Sequence, residues 1–348
     1  MSDVRLIAFY LPQYHAIPEN DAWWGKGFTE WVNVRRARPN FVGHVQPRVP
    51  TELGYYDLTE AKTREAQADL ARSHGIHAFC YYYYWFNGRR LLERPLAEVL
   101  ARGTPDFPFC VCWANENWTK RWDGGNDEVL LAQEYSAENE EALIRDLIPL
   151  FRDRRYVRVR GRPLVAVYRA NLLPQPRRAA DTFRRVARAA GEAEPYLAMV
   201  HVPGMPSPLE WGFDAGIEFP PHSTEAQPLT AHIDKLNPDF IGEVWDYVSA
   251  ARYAIDRPLP DFPFHRGVMV GWDNTPRLQN NGHVFVNAHP QNYRRWLAAM
   301  IAQTRAARPP EERIVFVNAW NEWGEGCTLE PDAQFGRGYL EATRAALA

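Results

Sequence analysis

Eight short apolar runs, recurring along 348 residues and separated mostly by helical segments, restrict this chain to very few architectures. They fall at residues 5–10, 76–86, 107–113, 162–168, 196–202, 215–219, 267–272 and 313–317. Each is rich in β-branched or aromatic residues and too short for a buried helix, so each reads as a strand. Residues 59–73, 92–101, 137–151, 176–190, 244–254, 291–305 and 338–347 carry helical periodicity. The alternation predicts the α/β class, as a single (β/α)8 TIM barrel over residues 1–348. A doubly wound open sheet would carry a Gly-x-Gly-x-x-Gly turn after an early strand, and none is present. The first connection is the anomaly. Residues 13–58 lack any regular period, and a loop so long after the first strand usually builds the lid or wall of a site.

Composition removes several function classes. Lys+Arg 40 against Asp+Glu 43 gives a net charge of −3, without the basic excess that nucleic acid demands. No apolar run approaches the roughly 18 residues of a membrane span. The N-terminus shows no basic segment followed by an apolar one, so a cytoplasmic location is expected. Four cysteines (Cys80, Cys110, Cys112 and Cys327) are too few for a disulfide framework and fit a reducing compartment. Aromatic residues are the unusual quantity: at 13% of the chain they cluster directly after strands, where a core alone would not ask for them.

Barrel enzymes assemble their sites at the C-terminal ends of the strands. Here those ends carry Tyr10, Gln13 and His15; Tyr83; Trp113, Asn115, Glu116, Asn117 and Trp118; Tyr168; His201; Glu218; Trp272 and Asp273; and Trp320, Asn321, Glu322, Trp323 and Glu325. Trp24 joins them from the long loop. Sugars explain an aromatic beside an amide, acid or imidazole, because C–H faces pack on rings while hydroxyls need paired donors and acceptors. Core packing is the competing explanation for each ring, and strand alternation turns only two of the tyrosines at 81–84 inward. Glu322 and Glu325, three apart and framed by tryptophans, suit glycosidic chemistry, in which one carboxyl donates a proton and another acts as base or nucleophile. Glu116 is a third candidate by position. The histidines are scattered and lack the spacing of a metal site, so neither metal nor cofactor is expected.

The motifs Phe9-Tyr-Leu-Pro-Gln-Tyr-His15, Trp24-Gly-Lys-Gly-Phe-Thr-Glu-Trp31, Trp113-Ala-Asn-Glu-Asn-Trp118 and Asn321-Glu-Trp-Gly-Glu-Gly326 together resemble the WbsX family. That family is named as glycosyltransferases of O-antigen polysaccharide biosynthesis and is related to glycoside hydrolase family 99, the endo-acting α-mannosidases and mannanases. The resemblance implies a metal-free barrel and retaining cleavage through a 1,2-anhydro sugar. Glu322 would deprotonate the sugar's 2-hydroxyl, and Glu325 would protonate the leaving oxygen. Gly324 stands where the hydrolases have histidine, a departure on the leaving-group side. The expectation is a retaining glycoside hydrolase acting on a poly- or oligosaccharide. A surface-polysaccharide glycosyltransferase and a non-catalytic carbohydrate-binding barrel are the alternatives.

Overall fold

The structure, a computed structural model, describes residues 3–120 and 128–348. Eight parallel strands form a closed ring: β1 (Arg5–Tyr10), β2 (Ile76–Phe86), β3 (Phe109–Trp113), β4 (Arg162–Val167), β5 (Tyr196–His201), β6 (Ala215–Glu218), β7 (Phe264–Met269) and β8 (Ile314–Asn318). Each pairs with its neighbour in sequence, and β8 returns to β1 with Ile314 opposite Arg5 and Val317 opposite Ala8. The helices are α1 (Pro18–Trp24), α2 (Glu30–Arg36), α3 (Ala61–Ser73), α4 (Arg94–Arg102), α5 (Ala137–Phe151), α6 (Pro176–Ala189), α7 (Tyr247–Asp256), α8 (Pro290–Ala307) and α9 (Gly338–Leu347). This is the (β/α)8 barrel with a long loop after its first strand. Among the described residues no helix is long and apolar enough to cross a membrane.

Three local departures from a regular barrel stand out. Only a 3-10 turn, Pro208–Trp211, links β5 to β6. Strand β7 starts at Phe264, ahead of the apolar run, because His265 and Arg266 interrupt the hydrophobic pattern and are nevertheless buried. Arg266 Nε pairs with Glu218 Oε2 at 2.7 Å, and the His265 ring lies 3.2 Å from Tyr196 Oη. The segment expected as one helix at 244–254 begins as a strand, Glu243–Asp246, paired in parallel with His283–Val286 outside the barrel. Asp246 then caps α7 by accepting the Ser249 N–H at 2.7 Å.

Register decides what the mouth looks like. Tyr82 pairs with Cys112 and Tyr83 with Trp113, and alternation sends Tyr82 inward and Tyr83 outward to Asp146 on α5. Inside, Phe9 packs against Tyr82, Phe219 and Phe316 at ring-centroid distances of 5.6, 4.9 and 5.4 Å. These rings fill the barrel as an aromatic floor, so the opening is a cavity and not a pore.

The long loop folds back over the end of β8. Glu30 N–H donates to Gln13 O at 3.1 Å, Trp31 Nε1 donates to Tyr56 O at 2.7 Å, and the Trp31 ring sits 5.7 Å from that of Trp323. Asn321 closes the joint: Leu11 N–H donates to its Oδ1 at 2.7 Å, and its Nδ2 donates to Leu11 O at 3.0 Å. The chain leaving β8 and the loop leaving β1 are thus held as one unit.

Candidate active site

The mouth of the barrel contains a cavity lined by Tyr82, Tyr84, Phe86, Ala114, Glu116, Asn117, Trp118, Tyr168, Phe219, His222, Trp272, Arg277, Glu322 and Glu325. Both glutamates of the β8 end face it. Glu322 lies in a two-residue strand paired back to Cys327, and Glu325 ends the following 3-10 turn, so a short turn presents both to one space.

A single guanidinium organises the charge. Arg277 Nη2 donates to Glu322 Oε2 at 2.9 Å, Nη1 to Glu325 Oε1 at 2.6 Å, and Nε to Glu30 Oε1 at 2.8 Å. Three carboxylates therefore share one cation, itself 6% exposed. Burial pushes Glu322 up to about 8, with the charges of Glu325 and Glu30 adding to the rise and Arg277 opposing it. Burial also raises Glu325, again helped by Glu30 and opposed by Arg277. Like charges this close cannot all stay ionised, so near neutrality the Glu322–Glu325 pair holds a proton, and that proton belongs to the pair.

The walls are uncharged where sugar C–H faces would pack. Burial lifts Tyr82, Tyr84 and Tyr168 well above the usual phenol range, which keeps their hydroxyls as neutral donors. Burial lowers His222 to about 4, so its imidazole is neutral at physiological pH. Glu116 enters the cavity from the β3 end in an ion pair with Arg169; burial raises it and Arg169 opposes. Asn117 Oδ1 accepts the Gln133 N–H at 2.8 Å, and Trp118 stacks near Tyr84 at 5.2 Å. The remainder of that strand end, Arg121 to Asp123, lies outside the described residues.

Of the residues singled out in the sequence, Glu322, Glu325, Glu116, Asn117, Trp118, Tyr168 and Trp272 meet in this cavity. The others do not line it. Tyr10 Oη donates to Gln67 in the core, Trp320 packs on Phe79, and Trp113 is buried against Phe183. Gln13 is buried and serves α2 through its carbonyl, and His15 is held by Pro12 O at 3.0 Å. Trp24 backs Trp118 at 6.3 Å, and Tyr83 points to the helical layer. Asn115 bridges β3 to Arg169 by accepting its N–H at 2.7 Å and donating to its carbonyl at 2.9 Å. His201 bonds the Met205 and Pro206 carbonyls. Glu218 is locked between Arg257 and Arg266. Asp273 accepts from Gln46 and Thr275, contacts His44, and borders a neighbouring hollow. Asn321 and Trp323 brace the turn from beneath, the latter donating to Glu330 at 2.7 Å.

From the tyrosines at 81–84 the sequence singled out Tyr83, whereas Tyr82 and Tyr84 are the two that line the cavity, and it assigned no role to Glu30 or Arg277. Glu30 had a signal in the Trp24–Trp31 motif, and Arg277 followed the seventh strand. Among the described residues no three His, Cys, Asp or Glu side chains gather as metal ligands would.

Residues 6–343 match the glycosyltransferase WbsX family. A protein described as uncharacterized protein WxcX, from Xanthomonas campestris pv. campestris (strain B100), is 48% identical over 342 residues, covering 98% of this chain and 49% of that protein. The chain therefore spans about half the length of the curated relatives it matches. Among solved structures, the GH99 endo-alpha-mannosidase from Bacteroides thetaiotaomicron superposes with a TM-score of 0.60 at 13% identity, over 99% of this chain and 97% of that one. A glycoside hydrolase-like protein gives the same TM-score of 0.60 at 14% identity, over 100% and 94% of the two chains. At such identities the superpositions establish a shared fold. The match along nearly its whole length makes this chain a member of the glycosyltransferase WbsX family, a family of carbohydrate-active enzymes.

Proposed function

We propose that residues 1–348 act as one catalytic barrel that hydrolyses glycosidic bonds of a poly- or oligosaccharide with retention, in the manner of an endo-α-mannosidase. The observation that carries the reading is the pair Glu322 and Glu325, facing one aromatic-walled cavity and bridged by Arg277. In the first step Glu325 gives its proton to the glycosidic oxygen as the C1–O bond breaks. Glu322 takes the proton of the 2-hydroxyl while O2 closes on C1 to form a 1,2-anhydro sugar. Water then adds to C1, its proton passes to Glu325, and O2 recovers its proton from Glu322. Both carboxyls end as they began. The pair supplies one acid and one base when its shared proton sits on Glu325 and Glu322 is ionised. Tyr82, Tyr168 and Trp272 form the walls against which the sugar packs, and Glu116 with Arg169 supplies polar contacts on the β3 side.

The second reading, a transferase, is favoured by the family's description. Charge favours hydrolysis. Among the described residues, the arginines that line this cavity and the hollow beside it, Arg277 and Arg169, are engaged by carboxylates, so there a nucleoside diphosphate leaving beside Glu325 would meet a net-negative surface. A cytoplasmic setting suits the chain, whose four cysteines are buried and free. Incubation with α-mannans and bacterial O-polysaccharides, with and without nucleotide sugars, separates the readings by product. New reducing ends without a nucleotide sugar support hydrolysis, and release of nucleoside diphosphate with chain growth would replace it. No product from any of these, with Glu322→Gln binding glycan as the wild type does, would leave a carbohydrate-binding barrel.

A further inference from the structure

Gly324, between the two reaction glutamates, occupies a place where no side chain fits. A Cβ built there would lie 2.0 Å from Glu30 Oε1, 2.8 Å from Glu30 Cδ and 3.0 Å from Arg277 Nε. Its φ is not left-handed, so the backbone does not require glycine. The space does. It is filled by Glu30, 2% exposed, whose helix α2 packs on both the 323–325 turn and the Thr275–Leu278 turn that carries Arg277. Glu30 does not line the cavity; its Oε1 receives Arg277 Nε at 2.8 Å and Asn33 Nδ2 at 3.3 Å.

We infer that Glu30 is a positioning residue: seated where a side chain at position 324 would stand, it holds Arg277 between Glu322 and Glu325 and sets how many protons that pair carries. This rests on the reading of Glu322 and Glu325 as the reaction carboxyls. Three carboxylates on one guanidinium would give the buried cluster a net charge of −2, and the Glu30 carboxylate is among the causes that raise both Glu322 and Glu325. Removing the charge of Glu30 removes the demand for the proton. Among the described residues, the other titratable groups facing the cluster are Tyr14, Tyr82, Tyr84 and Tyr168, held neutral by burial, the buried thiol of Cys327, and, across the cavity, the neutral His222 and Glu116 paired with Arg169. Among these groups Glu30 is the charge whose removal lets the pair ionise more easily.

The test needs no substrate. The carboxyl carbons of ¹³C-glutamate-labelled protein are followed by NMR against pH, with Glu322→Gln and Glu325→Gln assigning the pair. In Glu30→Gln, which keeps the shape and an acceptor for Arg277, the pair's midpoint should move to lower pH by about one unit. Gly324→Ala, which pushes Glu30 off Arg277 while retaining every carboxyl, should produce a shift in the same direction. The double variant should shift no further than the larger single one. A midpoint unchanged in Glu30→Gln overturns the inference, as does an unchanged midpoint in Gly324→Ala. Where Glu30→Gln does not fold, Gly324→Ala carries the decision. Full turnover in Glu322→Gln and Glu325→Gln would instead remove the catalytic reading and leave the titration result standing.

Discussion

Glu322 and Glu325 have the same side chain, and what distinguishes them is what each faces. Both touch Arg277, but Glu322 is 5% exposed at its side chain and Glu325 22%, so Glu325 is the more open to a leaving group. Glu325→Gln should lower turnover of natural linkages about 10²–10⁴-fold. Aryl glycosides with activated leaving groups, which need no proton, should keep most of their rate. Equal losses on both kinds of substrate would remove the acid role. Glu322→Gln should lose both activities to a similar degree, because base assistance is needed whatever departs; a full rate on either would sink the pair. The two glutamates were legible because a strand end has no packing reason to place acids among tryptophans. Glu30 was not legible as their neighbour. It lies 247 residues from Arg277, and only the folding back of α2 brings them together.

The elements explain why many strand-end residues stay out of the cavity. A strand end delivers a side chain to the mouth, but pleat and neighbouring connections decide which way it points. Four consecutive tyrosines carry no parity of their own; pairing with β3 sent Tyr82 and Tyr84 inward. Glu218, singled out at its strand end, proves to be a strut, bonded to Arg257 at 2.5 Å and Arg266 at 2.7 Å and accepting the Gly267 N–H at 2.9 Å. Glu218→Gln should therefore cost about 3–5 kcal/mol by leaving buried guanidinium charge uncompensated. Urea denaturation measures it, and a wild-type midpoint would contradict the strut. Asn321 joins elements 310 residues apart. Asn321→Ala leaves the Leu11 N–H and carbonyl buried without their partner, so it should cost about 1–3 kcal/mol per unsatisfied group. Turnover should fall with it, because the same joint carries Glu322.

At the scale of the whole molecule, several buried acids bind protons more tightly folded than unfolded. Burial raises Glu322 to about 8 and Glu330 to about 7, the latter against opposing bonds from Trp323, Gln67 and Tyr56. For each, the folded state holds more protons between the unfolded value near 4.5 and the raised one, so stability falls as pH rises through that window. Buried histidines act in the opposite sense: His222 at about 4 and His265 at about 3 lose stability only as pH falls below their unfolded 6.5. The acids are thus isolated above that value. Tm should decline from pH 6.5 to 8, and Glu322→Gln should flatten the decline. A slope unchanged in the variant would exclude Glu322 as its source.

The sequence by itself determined the barrel, through eight apolar runs of strand length, and it marked the β8 end as chemically loaded. Both are local signals, written in periodicity and in residue types that packing does not request. The tertiary structure decided which aromatics face the cavity, which acids are struts, and that Glu30 and Arg277 stand beside Glu322 and Glu325. Those facts depend on register, on the fold of a loop of nearly fifty residues and on burial. No short window of sequence contains them, because each comes from groups that meet only when the ring of strands is closed.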